Sequence, residues 1–301
     1  MGTLHLLFNA VTVIFIAATM FAAGLGTTTS ALRDVFADVP LLLLALLGNL
    51  VVLPLLGWGI GALLGLPTAA FIALILVASS PGGPFGAKLA MVQGGDVVAG
   101  AAMQVLLASA GSLTFGPTAN GILTVAEVGP GASSLDVGAL VRTVAILQLV
   151  PFGIGLLLRR CTPAVARSWH PTTVKVSNVT FLIVLAGMLL GNWRDVVTLL
   201  GSLTLLAGFT LAIAAFAVGT LLSTGPVMRR TTMGSVAAVR NAGPALAAVG
   251  IAFGNEPALL GALAAVLLTG LAAAIPIAAI LGLRRSKPRT DGNSGATGPI
   301  R

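Results

Sequence analysis

Two cations buried in apolar sequence, Lys88 and Arg240, are the residues from which a chemical reading starts. Each stands beside a proline–glycine interruption: Pro81-Gly82-Gly83-Pro84-Phe85-Gly86 precedes Lys88, and Arg240-Asn241-Ala242-Gly243-Pro244 begins with the arginine itself. A charge near the centre of a bilayer costs on the order of 3 kcal/mol or more on insertion scales, so it normally faces a polar cavity and has a partner. No acidic residue falls at matching depth, which leaves backbone carbonyls freed at the breaks, or an anion, as expected partners. The alternative is that one of the two snorkels to an interface. Proline lacks a backbone donor and glycine weakens a helix, so unwound backbone is expected around Pro81, Gly82, Gly83, Gly86 and Gly243. Asn49, Gln104 and Asn241 are candidate polar contacts for a solute, with interhelical hydrogen bonding as the other reading. Asn178 shares that ambiguity. Asp96 follows Gly94-Gly95 and reads as an N-cap, while Met20 and Met103 read as packing residues.

No catalytic set emerges. There is no His–Cys cluster, no phosphate-cradling glycine loop ending in Lys-Ser/Thr, and no pair of intramembrane carboxylates. Neither an enzyme nor an ATP-driven pump is expected, and no cofactor or metal.

The elements that must position these residues follow from composition. Of 301 residues, 57% are hydrophobic and 8% charged, and mean hydropathy is +1.06. A soluble domain carries about a quarter charged residues, so a water-soluble fold is excluded, and a disordered chain equally so. The formal charge of +8 does not point to nucleic acid, because the basic residues sit at the ends of apolar runs rather than on one face. The single cysteine, Cys161, excludes a disulfide framework. His5 and His170 are placed outside the long apolar spans.

Apolar runs long enough to cross a bilayer, about 20 residues each, fall at 6–28, 38–64, 69–93, 95–117, 138–159, 173–193, 196–223, 230–253 and 256–283. An all-α polytopic membrane protein of nine transmembrane helices is expected. Runs such as Leu41-Leu42-Leu43-Leu44 do not alternate as a β-barrel strand would. The organisation expected is one transmembrane domain, 1–283, in two halves (about 1–117 and 138–283), then a disordered basic tail, 284–301. Residues 118–137 read as an outer loop. Two broken helices in corresponding places of two halves point to an inverted-repeat transporter with its site at the midplane. Arg33, Arg159, Arg160, Arg167, Lys175, Arg229, Arg230 and the tail cations share one side of a nine-span topology, with Glu127, Asp136, Asp195 and Glu256 opposite. The cell membrane is the expected location, with the N-terminus outside and the C-terminus cytoplasmic.

The order of these segments resembles the bile acid:sodium symporter family. Three stretches carry the resemblance: MFAAGL at 20–25, SSPGGPFGAKLAMVQGGDVVAG at 79–100 and RRTTMGSVAAVRNAGPALA at 229–247. PGG followed by GDV at matched spacing is the most specific of them. The resemblance implies a ten-helix inverted repeat with panel and core domains and two broken crossing helices, here with the family's first helix lacking a counterpart. It also implies secondary transport of organic anions such as bile acids, pantoate or keto acids. The family's sodium ligands are mostly replaced. A Ser-Asn pair after PGG falls at Gly86 and Ala87, Ser and Thr of the next helix at Gly100 and Gln104, a glutamate at Val236, and a glutamine at Arg240. Asn49 stands where a glutamine is usual, and Asn241 alone keeps its identity.

The expected function is alternating-access transport of a small organic anion without sodium coupling. The site would comprise Lys88, Arg240, Asn241, Asn49, Gln104, Pro81, Gly82, Gly83, Gly86 and Gly243, with Lys88 and Arg240 standing in for bound sodium. Two alternatives remain open: a proton-coupled carrier or antiporter in which Lys88 titrates, and a degenerate transporter acting as a membrane sensor or partner subunit. The expected partners are the anion and the lipid bilayer, not nucleic acid; oligomeric state is left open. Orientation can be tested directly. On a Cys161→Ser background, an impermeant thiol reagent applied to intact cells should label Glu127→Cys and spare Asp291→Cys; the opposite pattern reverses the topology.

Overall fold

The structure, a computed structural model, describes residues 2–128, 136–191 and 202–286. These residues are helical with no strand. Arg194, Asp195 and most of the tail lie outside them. The helices are α1 (Gly2–Gly26), α2 (Thr29–Ala37), α3 (Val39–Leu47) running through a π-helical turn (Gly48–Val52) into α4 (Leu53–Leu63), α5 (Thr68–Ala78), α6 (Gly86–Val92), α7 (Val97–Val125), α8 (Val137–Cys161), α9 (Pro163–Gly191), α10 (Leu203–Leu221), α11 (Val227–Ala238), α12 (Ala242–Ala252) and α13 (Pro257–Ser286).

Among the described residues, eight segments are long and apolar enough to cross a membrane by themselves, and the ninth expected span is not among them. The expected span at 69–93 is two short helices, α5 and α6, parted by residues 79–85. The other expected break, in 230–253, is confined to residues 239–241 between α11 and α12. Every residue from Ala70 to Ala78 of α5 and from Thr231 to Ala238 of α11 is buried. Helical segments without an exposed face sit at the centre of a bundle, so the segments that lead into both breaks are core elements.

Three further expectations change. The 118–137 stretch is not a loop throughout, because α7 continues through Pro117 to Val125; a proline inside a spanning helix is tolerated where neighbours satisfy the freed backbone. His170 is not outside a span: α9 starts at Pro163, ten residues before the expected boundary, and carries His170 in its body. Helix α2 was not foreseen. It is short and two-faced, burying Ala31 and Val35, and Thr28 caps it by accepting a hydrogen bond from Ala31 N (3.2 Å). Asp96 caps α7 as expected, accepting from Ala99 N (3.1 Å).

Helix α1 packs chiefly on α8 and α9, whereas α10 packs on α11 and α13. The α1–α8 contact is backbone to backbone. A Cβ on Gly155 would lie 3.0 Å from Leu25 N, with Phe21 O and Gly24 Cα also in its way. Small residues at such crossings let helices approach closely where lipid supplies no hydrophobic drive.

Polar contacts sort the bundle into two ends. At one, Arg229 pairs with Asp38 (2.8 Å), and Arg285 donates to Gln93 O (2.8 Å) and Thr231 Oγ1 (2.7 Å). At the other, Asn255 donates to Asn9 Oδ1 (3.2 Å). The basic end therefore gathers α3, α6, α11 and α13 together. Gly155→Ala should lower the melting temperature in detergent by about 2–6 °C through overpacking. Gly153→Ala, whose Cβ would meet nothing within 4 Å, should leave it unchanged.

Candidate functional site

The two breaks are bonded to each other through the backbone. Asn241 N donates to Ser80 O (2.7 Å) and Gly83 N donates to Val239 O (3.1 Å). Gly82 holds a positive φ of +76°, a conformation an L side chain rarely adopts, and a Cβ on Gly83 would run into the carbonyls of Val239 and Arg240. Glycine is thus required where one chain lies on the other. Asn241 also caps α12: its Oδ1 accepts from Gly243 N (3.0 Å) and its Nδ2 donates to Gln148 Oε1 (3.0 Å).

Breaking a helix frees carbonyls, and each freed carbonyl needs a donor. In the π-helical turn Leu53 N bonds to Gly48 O, which takes it from its usual acceptor, Asn49 O. Pro54, next in line, has no N–H. Pro81 likewise gives nothing to Val77 O, which keeps only a tighter bond from Ser80 N (3.0 Å), and beyond it the chain turns at Gly82, taking Gly82 N from its helical place opposite Ala78 O. Asn241 N, committed to Ser80 O, does not close the helical bond to Ala237 O. All four carbonyls receive the guanidinium of Arg240: Nη2 donates to Ala78 O (2.5 Å) and Asn49 O (3.3 Å), Nη1 to Ala237 O (3.4 Å) and Nε to Val77 O (3.4 Å). Nη1 also donates to Asn49 Oδ1 (2.7 Å), and Asn49 Nδ2 donates to Ala45 O (3.0 Å). Arg240 is 7% exposed. The expected carbonyl partners are present, and the side chain joins both breaks to the turn before Pro54.

Lys88 has different surroundings. It lies on α6, half-buried, on a cavity of about 370 Å³ between α1, α6, α7 and α9. Its Nζ donates to Asn178 Oδ1 (2.7 Å) and sits 4.8 Å from the centre of the Phe85 ring. The ring packs on Phe181 at 5.3 Å. The cavity reaches along α1 from Thr19 to Thr27 and along α9 from Asn178 to His170, roughly 12 Å of helix in each case. It therefore runs from the breaks toward the basic end. Its wall is mostly apolar, with Ala22, Ala101, Val105 and Val174 among its members.

Of the expected site residues, Lys88 and Gln104 line this cavity. Gln104 Oε1 accepts from Ala87 N (2.9 Å), meeting a donor at the start of α6. Arg240, Asn241, Asn49, Pro81, Gly82, Gly83 and Gly243 build the crossing instead. Pro81 packs on Gly111, and Gly86 lies against Val236. Residues that sequence reasoning did not select include His170, Thr19 and Ser177 on the cavity, the latter two hydrogen-bonded to each other (2.6 Å). Gln148 was missed as well, although a glutamine inside the apolar run 138–159 is the same signal as Gln104. Its Nε2, like Ser79 Oγ, is buried without a hydrogen bond among the described residues.

The positions at which the resemblance places sodium ligands offer little to a cation. A Cβ on Gly86 would meet Val236 Cα at 3.0 Å, and one on Gly100 would meet Thr232 Cγ2 and Ala90 Cβ. Gln104 Oε1 is spent on Ala87 N. Hard cations want converging oxygens, and the isopropyl group of Val236 fills this place, so the residues do not fit a bound sodium ion there. Gln104→Leu should leave Ala87 N without its acceptor, a loss of about 1–3 kcal/mol. Hydrogen exchange over residues 85–89 should accelerate while exchange in the core of α7 is unchanged.

Comparison with known proteins gives concordant matches. The chain is 27% identical over 231 residues to "Probable sodium/metabolite cotransporter BASS3, chloroplastic" of Oryza sativa subsp. japonica, covering 76% of this chain and 50% of that one. It is 27% identical over 212 residues to "P3 protein" of Homo sapiens, covering 68% and 43% respectively. The chain thus spans about half the length of these curated relatives. Residues 13–199 match the model of the sodium bile acid symporter family. With that match covering more than half of its length, and with the two helix breaks joined as described, the chain belongs to the sodium bile acid symporter family.

Proposed function

We propose that this protein is a secondary transporter that carries a small organic anion by alternating access and does not couple to sodium. The observation that carries the reading is the cavity at Lys88: a positive ammonium with neutral neighbours, at one end of a mostly apolar pocket. Ligand pockets run from about 300 to 1,000 Å³, and about 370 Å³ lies at the small end. A carboxylate would replace Asn178 Oδ1 as the principal partner of Lys88 Nζ, and its organic body would lie against the alanine and valine wall. His170 and Thr27 line the far end and would contact a longer solute.

In this reading the nine crossings form an inverted repeat. The half-spans α5–α6 and α11–α12 correspond, and their meeting point lies at the bilayer midplane. The group α1, α8 and α9 moves against the rest to expose Lys88 to each side in turn. With the basic end cytoplasmic, as the loop charges favour, the cavity described opens to the cytoplasm. Sodium-independence rests on Arg240, whose guanidinium already supplies a positive charge at the crossing, and on Val236, which fills the neighbouring place. A second reading has its own support. The partners of Lys88 Nζ are a neutral amide and an aromatic ring, so no carboxylate among them opposes loss of its proton during the cycle, and transport could then be proton-coupled.

Counterflow in proteoliposomes is the test. A panel of small organic anions, first screened by thermal shift, should yield one that exchanges internal for external solute equally well in sodium and in choline at constant pH. Collapse in choline overturns sodium-independence, and binding without exchange favours a sensor. Lys88→Gln should reduce uptake at least about tenfold, the loss of one charge-assisted contact of about 1.5–3 kcal/mol. Lys88→Arg should keep exchange, because a guanidinium remains charged. An imposed pH gradient that drives uptake in the unmodified protein but not in Lys88→Arg would establish the proton-coupled form.

A further inference from the structure

We propose that the oxygen cage around Arg240 is a cation-binding site whose cation is part of the chain. Five oxygens converge on one buried guanidinium, four of them main-chain carbonyls and the fifth an amide oxygen. They come from three separate places: the turn at Asn49, the end of α5 at Val77 and Ala78, and the end of α11 at Ala237. A set of inward-facing carbonyls from interrupted helices is the arrangement by which proteins replace an ion's hydration shell. Carbonyl oxygens converging on one point repel one another unless positive charge sits among them. Here the charge arrives on a side chain, and the planar fork of the guanidinium distributes its donors over more oxygens than an ammonium could reach.

An arginine that merely packs, or merely donates hydrogen bonds, would present a different pattern. None of its five acceptors is a carboxylate; three are carbonyls that the chain turn beyond Pro81, the π-helical turn or the inter-break bonds have released from helical ladders, and the fourth carbonyl, Val77 O, is shared with Ser80 N. These oxygens remain wherever the backbone is interrupted, whatever residue stands at 240. The site therefore outlasts its occupant, and removing the side chain should leave a cage able to take a free cation of guanidinium's shape. This inference concerns the crossing alone and stands whatever the cavity at Lys88 carries.

The test is chemical complementation, read as thermal stability of the full chain in detergent. Arg240→Ala should melt about 5–10 °C below the unmodified protein, as expected for the loss of a buried hydrogen-bond network. Guanidinium chloride at about 10–50 mM, far below denaturing concentrations, should restore several degrees in a saturable manner, as a ligand that binds only the folded state does. Urea, the neutral isostere, should restore nothing at the same concentration, and guanidinium should not raise the melting temperature of the unmodified protein. Rescue by sodium over choline would equally assign a cation site. Rescue by urea as good as by guanidinium, or no rescue by any cation, overturns the proposal. Should Arg240→Ala fail to accumulate, Asn49 carries the test with the tethered cation in place. Asn49→Asp, which presents a carboxylate oxygen where the 2.7 Å amide oxygen now lies, should raise the melting temperature, and Asn49→Leu should lower it. Equal losses from both would overturn the cage as a site for charge.

Discussion

A backbone carbonyl released from its helix inside a bilayer has no water to turn to, and the centre of this bundle is arranged around that constraint. Two proline-bearing interruptions and a π-helical turn release carbonyls from three helices, and one arginine side chain donates to four of them. The reciprocal backbone bonds between residues 80–83 and 239–241 belong to the same solution. They pair a donor and an acceptor of each break with those of the other, so neither interruption is satisfied without its partner. The stretches leading into the breaks, Ala70–Ala78 and Thr231–Ala238, are therefore buried on every side, and the long helices pack around them.

The division of labour between the two cations follows. Arg240 has its donors committed to the protein and holds the crossing together. Lys88 is held by one amide and one ring, and its ammonium remains at the edge of a cavity. Gln104 links the two regions, because it lies on the cavity wall and also satisfies a donor at the start of α6, the short helix that carries Lys88. A displacement of α6 would thus reposition the ammonium and disturb the cavity lining in one movement.

Much of this was legible in the sequence, and for physical reasons. Apolar runs bounded by charges announce spanning helices, and Pro-Gly clusters announce where they break. A cation with no acid at its depth announces that carbonyls must be its partners. What was not legible depended on three-dimensional registration. That Asn49 belongs to Arg240 rather than to the cavity depends on the π-helical turn, whose cause, Pro54, is visible but whose direction is not. The extension of α7 beyond Pro117 and of α9 back to Pro163 escaped because proline reads as punctuation, whereas neighbouring helices can satisfy what it frees. His170 escaped with α9. Gln148 needed no structure, since its polarity inside an apolar run was the very signal used for Gln104.

Lys88 also has an electrical consequence. In the proposed transport cycle access to this ammonium switches from one side of the membrane to the other, and among the described residues no acid is paired with it. In that cycle the loaded step would proceed with little regard for membrane potential, because a monovalent anion would bring the Lys88 site close to neutral. Empty, it carries a net positive charge, and moving one elementary charge across the full field is worth about 2.3 kcal/mol per 100 mV. In a cell negative inside, that bias would hold the empty carrier of the proposed cycle facing the cytoplasm, so voltage would act on the return leg and set how often the outer side is visited.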